Sequence, residues 1–422
     1  MSAGSCVCLE TWGHFIIKFR CSVTYLKTTL PIVVLNEVVI VSAVRTPIGC
    51  FRGCLSPLSA TELGGMAVKG AVERANIPTD EVKEVFMGNV CSAYLRQAPA
   101  RQAAMYGGLP ASTVCTTVNK VCSSGLKAVT LAAQTLQTGT QDVVLAGGLE
   151  SMSNIPFYLR RGDIPYGGLQ LVDGILYDGL TDVYRNIHMG NCGEYVAKKF
   201  NISRREQDDH AIDTYKRTAA AYEANIFAKE IISVPVPQKR GAPVIVTEDE
   251  EYKRMNLEKF TNLPTVFQEE GTITTGNSAG LNDGAAAVLM MTLEAANRLG
   301  VEPLARVVGY ADAEREPIEF PIAPADAITK LLKKTGITKE EVSLWEINEP
   351  FSVVGLANRR ILGLQGNNIN VHGSAVSLGH PIGMSGARLV AHLTHNLLRG
   401  QWGVATTCNG GGGATALMIQ KM

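Results

Sequence analysis

Four short stretches of the chain hold side chains able to act as nucleophile, base or hydrogen-bond donor. The first is Asn119–Gly139, NKVCSSGLKAVTLAAQTLQTG. Leu126, Val129, Ala133 and Leu136 recur on one face at helical spacing, with Ser123 or Ser124 suited to cap the helix and Gly139 to end it. Cys122 then stands at the helix entrance, where unpaired N–H groups and the positive end of the helix dipole gather. A thiol so placed is expected to have its pKa lowered and its thiolate fraction raised at neutral pH. By itself this stretch suits an ordinary buried cysteine equally well. The second stretch is Ser377–Arg388, SLGHPIGMSGAR, with His380 in a Gly/Pro loop ahead of a helix. A lone histidine of this kind is more often structural than catalytic. The third, Cys408–Gly413 (CNGGGG), sets a thiol at a strand end before glycines that let a ligand approach backbone N–H groups. The fourth is Asn348–Phe351, NEPF.

The elements that must position these residues alternate between strand and helix. Glu37–Ala43, Val85–Val90, Val114–Val118 and Asp142–Gly148 read as buried strands, and Thr61–Ala75 as a helix. Asn282–Met291, Leu344–Ile347, Trp402–Cys408 and Ala414–Ile419 read as strands, Ala323–Gly336 and Ser385–Leu398 as helices. Such alternation predicts a layered α/β protein with parallel pairing. Both ends of the chain place a reactive-type residue in a Gly/Ser turn, then a helix, then a strand, which suggests two related halves. Between them the pattern weakens. Asn154–Asp182 is rich in Gly, Tyr and Asp, Ser203–Phe227 reads as a long helix, and Gln238–Phe267 is charged. The expected organisation is an N-terminal extension over 1–36, a first half over 37–153 with 273–300, a loop subdomain over 154–272, and a second half over 301–422.

Composition limits the alternatives. The 422 residues suffice for two or three domains, and 39 basic against 39 acidic residues leave no net charge to attract nucleic acid or an anionic membrane. Apolar residues make up 46% and charged residues 18%, which suits a well-packed core and burial in an oligomer. Ten cysteines without CxxC pairs or Cys/His ligand spacing imply free thiols in a reducing compartment and no structural zinc. Residues 1–35 are poor in acids but not Arg-rich, a weak targeting pattern. Leu30–Val44 is interrupted by Pro31, Asn36 and Glu37, too short and broken to span a bilayer.

The motifs VVIVSAVRTPIG, NKVCSSG, AGGLESMS, DGLTDVY, IHMG, NDGAAA, NEPF, VSLGHPIGMSGAR and CNGGGGA occur in the order and spacing of the thiolase family. From about Glu37 to Met422 the chain resembles that family. CNGGGGA and FPIAP are most similar to its mitochondrial acetoacetyl-CoA branch. The resemblance implies a thiolase-like fold of two layered α/β halves and an acyltransferase that condenses two acetyl-CoA, or cleaves acetoacetyl-CoA, through an acyl-cysteine. It implies Cys122 as nucleophile, His380 as its base and later a holder of the thioester oxygen, and Cys408 as acid/base at the α-carbon. Asn348 would orient a water beside His380, and the N–H groups of Cys122 and Gly410 would form a second oxyanion hole. Coenzyme A contacts map to Tyr215, Arg254, Met255, Asn256, Lys259 and the Thr275–Gly280 loop with Ala279, while His188 and Met189 would line the acyl pocket. A potassium site maps to Tyr215, Thr275, Gly276, Ser278 and Val376. A homotetramer in the mitochondrial matrix, with the cytoplasm as alternative, and no nucleic-acid or membrane partner complete the expectation.

The chain departs from the family pattern in places. Pro350 stands where the family has alanine, removing an N–H and biasing Glu349 away from helical geometry, which puts the position of Asn348 in doubt. Ala279 falls where a serine is expected, His372-Gly373-Ser374 replaces Asn-Gly-Gly, and Ser123 replaces the branch's usual alanine. Three rivals follow: a thiolase of broader chain length, a ketoacyl synthase, which Cys408 disfavours, and a thiolase-like binding protein without catalysis.

Overall fold

The computed structural model describes residues 35–422, so the expectations for the N-terminal extension lie outside the described residues. The backbone is built on β1 (Val38–Arg45), β2 (Glu84–Gly88), β3 (Val114–Val118), β4 (Val143–Ser151), β5 (Asn282–Thr292), β6 (Ala305–Glu314), β7 (Val342–Ile347), β8 (Trp402–Asn409) and β9 (Gly413–Lys421). β1, β4 and β5 are buried along their whole length, as continuous apolar runs covered on both faces must be. The strands run β7-β8-β9-β6-β1-β5-β4-β2-β3, and the two-residue strand Gly49–Cys50 pairs with the start of β5.

The two halves repeat one pattern. In the first, β2 is parallel to β4, which pairs antiparallel with β5, and β5 pairs antiparallel with β1. In the second, β7 is parallel to β8, β8 antiparallel to β9, and β9 antiparallel to β6. The expectation of two halves holds, and the two share one continuous sheet. Val39–Arg306 and Ile40–Ala305 pair β1 with β6, so hydrogen bonding runs through both halves. β6 was not legible as a strand, although its buried residues do alternate: Ala305, Val307 and Gly309 are buried, whereas Arg306 is exposed.

Helix α1 (Ala60–Ala75) packs on one face of the first half. Helices α2 (Ser124–Gln137) and α7 (Ser385–Asn396) share one apolar cluster with the other face and with strands of the second half. The outer face of the second half packs on α5 (Ala323–Thr335). The chain between β4 and β5 adds α3 (Met189–Lys199) and α4 (Arg204–Glu223), at the point where the second half has only the turn Gly410–Gly412. Helix α6 (Ser352–Leu362) follows NEPF, and Pro350 precedes its N-cap, Phe351, so no intrahelical donor is lost.

Two features lock these layers together. The carbonyl of Gly383, at the turn into α7, lies against three glycines of the first half. A Cβ added at Gly148 would approach it to 2.0 Å, and at Gly88 or Gly125 to 2.8 Å. The second is a buried ionic network. Arg45 at the end of β1 donates to Glu230 Oε1 (2.7 Å) and to both oxygens of Asp249 (2.7 and 2.9 Å). His392 of α7 pairs with Glu230 Oε2 at 2.8 Å, and Arg388 of α7 with Glu346 of β7 at 3.4 Å. Burial opposes the charge on Glu230, yet His392 and Arg45 hold its carboxyl well below the usual range. The network joins the inserted segment to both halves. Gly148→Ala is expected to cost about 1–3 kcal/mol, because the new methyl group meets backbone. Thermal unfolding of the full chain checks this, and an unchanged midpoint would show that the contact yields freely.

Candidate active site

The turn into α2 is made by strain and by hydrogen bonds. Val121 adopts φ +47°, a left-handed conformation that a β-branched residue pays for with about 1–3 kcal/mol. Asn119 Oδ1 accepts from Val121 N–H at 3.0 Å, and Ser124 Oγ donates to the Val121 carbonyl at 2.6 Å. Ser123 occupies the cap position but makes no capping bond to its own helix. Cys122, immediately before it, is buried in a small cluster with Val90, Cys91, Met152, Ile175 and Ile382.

Burial pushes the Cys122 thiol up to about 12, outweighing the N–H groups of Gly410 and of Cys122 itself, which favour the thiolate. The expected lowering is therefore corrected. A helix entrance activates a thiol only where the charge stays solvated, and here desolvation is the larger effect. His380 shifts in the complementary sense: burial, with the positive charge of Arg388, lowers it to about 3. Both groups rest neutral. Ser385 Oγ donates to the Pro381 carbonyl (3.0 Å) and lies 2.7 Å from His380 Nδ1. With the hydroxyl proton on the Pro381 carbonyl, Ser385 accepts from Nδ1–H, the tautomer in which Nε2 carries the lone pair. His380 Nε2 is buried and has no partner among the described residues, so it is free to accept a proton.

Cys408, one residue before the end of β8, is fully buried in a cluster with Met189, Cys192, Phe351 and Ile318. Burial and the proximity of Cys122 raise its thiol well above the ordinary value. Gly410 faces Met189, since a Cβ there would lie 3.2 Å from the Met189 sulfur. Asn348 follows β7 fully buried, its N–H donating to Thr406 O at 2.9 Å. Neither side-chain atom of Asn348 has a partner among the described residues. The Pro350 carbonyl accepts from Ala279 N–H (2.9 Å), and Ser352 N–H donates to Asn277 O (2.9 Å), so NEPF is zipped to the TGNSAG loop.

The remaining positions form a second group. Tyr215, Phe260 and Val376 share a buried cluster, against which Met255 packs. Arg254, Asn256 and Lys259 are exposed on the adjoining turn, where Asn256 Oδ1 caps a short 3-10 helix. Ser278 Oγ donates to Thr274 O at 2.7 Å, Thr275 is exposed, and Gly276 abuts the Phe260 ring. His188 stacks on Phe267 with ring centroids 4.5 Å apart and caps α3 by accepting from Gly190 N–H.

Three positioning residues escaped the sequence reading. Asn282 Oδ1 accepts from His380 N–H at 2.8 Å. Glu150 accepts from the N–H groups of Val90, Cys91 and Gly383, and burial raises its carboxyl to about 7 despite those donors. Ser385 sets the imidazole. Asn282 and Glu150 lie inside NDGAAA and AGGLESMS, motifs recognisable by letters but mute about partners that lie 98 and 233 residues away.

Two α/β halves that bring a helix-entrance thiol, an imidazole and a strand-end thiol to one place define a thiolase. The thiolase N-terminal domain matches residues 38–294 and the thiolase C-terminal domain residues 301–421, and the chain belongs to this family. It is 60% identical to the mitochondrial acetyl-CoA acetyltransferase A of Xenopus laevis over 92% of this chain and 93% of that protein. It is 57% identical to the human mitochondrial acetyl-CoA acetyltransferase over 92% and 91%. Among solved structures it is similar to a thiolase from Ascaris suum in complex with coenzyme A, at TM-score 0.89 and 45% identity, covering 92% of this chain and all of that one.

The raised Cys122 pKa carries a sign. Below its pKa the thiolate fraction, and with it the alkylation rate, grows about tenfold per pH unit. Alkylation of Cys122 in the free protein by iodoacetamide is expected to climb in this way from pH 7 to pH 9. A plateau near pH 7, followed by peptide mass mapping, would instead reveal a preformed thiolate.

Proposed function

We propose that the protein is an acetyl-CoA C-acetyltransferase working by a ping-pong route. The single observation that carries this is a neutral, buried Cys122 close to the second thiol of Cys408, against a loop that carries a neutral His380 with a free Nε2. As the Cys122 sulfur attacks the thioester carbonyl of one acetyl-CoA, its proton passes to His380 Nε2. The coenzyme sulfur leaves with the proton of Cys408. Cys408, now a thiolate whose high pKa makes it a strong base, takes an α-proton from the second acetyl-CoA. The resulting enolate attacks acetyl-Cys122, and the Cys122 sulfur departs and regains its proton from His380. The N–H groups of Cys122 and Gly410 would hold the acyl-enzyme oxygen, and the protonated His380 Nε2 with a water on Asn348 the other. Loss of one such donor typically costs about 10²–10³ in rate.

Coenzyme A is assigned to the surface formed by Tyr215, Arg254, Met255, Asn256, Lys259 and Ala279, within the loop subdomain over 154–272. His188 and Met189 are assigned to the acyl pocket. The relatives' coenzyme A complex and the exposed cations of that turn support this. A potassium ion is assigned to the Tyr215 hydroxyl, Ser278 and main-chain oxygens of Thr275, Gly276 and Val376. This all-oxygen donor set suits a hard monovalent cation, and Gly276, pressed on Phe260, leaves no room for a side chain. When bound, it would stiffen the coenzyme loop. A homotetramer is supported by exposed apolar residues on 157–184, among them Phe157, Ile164, Tyr166 and Tyr184, and by the sheet edge at β3, where Val114 is exposed. The mitochondrial matrix is the proposed location, supported by the mitochondrial relatives. No helix among the described residues is long and apolar enough to cross a membrane.

The cysteine assignments separate by half-reaction. Cys122→Ala is expected to take up no acetyl group from acetyl-CoA. Cys408→Ala is expected to acetylate at Cys122 yet fail to exchange α-protons. His380→Ala is expected to slow both half-reactions. Intact-protein mass spectrometry with an α-exchange assay checks all three, and an acetyl adduct on Cys122→Ala would refute the assignment. Replacing sodium by potassium is expected to raise thiolysis of acetoacetyl-CoA and protect the 254–280 segment from hydrogen exchange, and Val172→Asp with Tyr166→Asp to shift light scattering to a smaller assembly.

A further inference from the structure

The hydroxyl of Ser123 is spent in an unexpected place. A serine at a helix cap ordinarily accepts from its own helix, worth about 1 kcal/mol. Ser123 instead donates to the carbonyl of Thr407, 284 residues away, at 2.7 Å and fully buried. Ser123 follows Cys122, and Thr407 precedes Cys408. On the other flank of each cysteine a second link closes. Lys120 Nζ donates to Asn409 Oδ1 at 3.2 Å and to Glu314 Oε1 at 2.8 Å, while Asn409 Nδ2 donates to the Gly410 carbonyl at 2.9 Å. The residues on either side of the nucleophile therefore hold those on either side of the second thiol.

We infer that Ser123 and Lys120 are positioning residues that clamp the Cys408 strand end to the nucleophile turn, and so set the reach of Cys408 to the α-carbon of an acyl group on Cys122. The inference rests on the roles proposed above for the two cysteines. The helix does not need this hydroxyl, because α2 forms without its capping bond. Alanine would fill the same site with equal helix compatibility, but leave the buried Thr407 carbonyl without this donor. A displacement of about an ångström costs most where a weakly acidic C–H must be deprotonated, whereas acylation of Cys122 uses Cys408 only to protonate a good leaving group and Gly410 only as one of two N–H donors, and so tolerates more.

The test compares half-reactions in Ser123→Ala and, as a second variant on a partly exposed residue, Lys120→Met, with Lys120→Arg as the conservative control. The wild-type chain is first shown to acetylate at Cys122. If it does not, the underlying role assignment fails. Given that acetylation, both variants are expected to acetylate within about twofold of wild type, while α-proton exchange and condensation fall about 3- to 10-fold in Ser123→Ala, the size of one lost neutral hydrogen bond, and at least as much in Lys120→Met, whose ammonium donor makes a charge-assisted bond. KM for acetyl-CoA should stay unchanged, and Lys120→Arg should recover most of the loss. Equal slowing of acetylation and exchange, tracking a lowered thermal midpoint, would reduce both residues to structural ones and overturn the inference. Unchanged exchange in either folded variant would overturn it as well.

Discussion

The arrangement depends on how closely the turn into α7 approaches the first half. The Gly383 carbonyl fits where β2, α2 and β4 each present a glycine, and Gly386 of α7 lies against Leu126 of α2 with backbone nearly in contact. Any side chain there would push the His380 loop away from the Cys122 turn. Glu150 seals the same junction by accepting from Gly383 N–H, and Asn282 holds His380 N–H. The turns that carry Cys122 and His380, 258 residues apart in sequence, pack together because four glycines remove the bulk that would separate them.

That closeness has an electrostatic consequence. Packing tight enough to exclude water pushes Cys122 up and His380 down, so the pair is stored as thiol and imidazole. In the proposed reaction the N–H donors at the helix entrance and at Gly410 act on charge as it develops, where fixed dipoles in a dry site are most effective. Cys408, also raised by burial, would in that reaction act as a strong base only once it had lost its proton.

The charged network makes the inserted segment part of the same frame. Arg45, Glu230 and Asp249 are fully buried, and His392 and Arg388 tie them to α7, the helix that His380 introduces. Such a network adds little net stability but makes wrong packings costly, since any slip leaves a charge unpaired. The surface assigned to coenzyme A, set on α4 and the turn beyond it, is thereby referenced to the catalytic turn.

By itself the sequence determined the periodic elements, the reactive residues and the family. Helix and strand periods, Gly-rich turns and motif spacing depend on residues within a few positions of one another, so Cys122 at a helix entrance, His380 ahead of α7 and Cys408 at a strand end were all legible. What only the tertiary structure decided depends on water removed by distant chain. The Cys122 pKa rises because clusters from β2, the insertion and the α7 turn bury it, against the local dipole that pointed the other way. Ser123 turned from helix cap to cross-link because Thr407 comes within reach only when the halves close. The pairing of β1 with β6 arises similarly, from two strands whose contact spans just two residue pairs and leaves no mark in either periodicity.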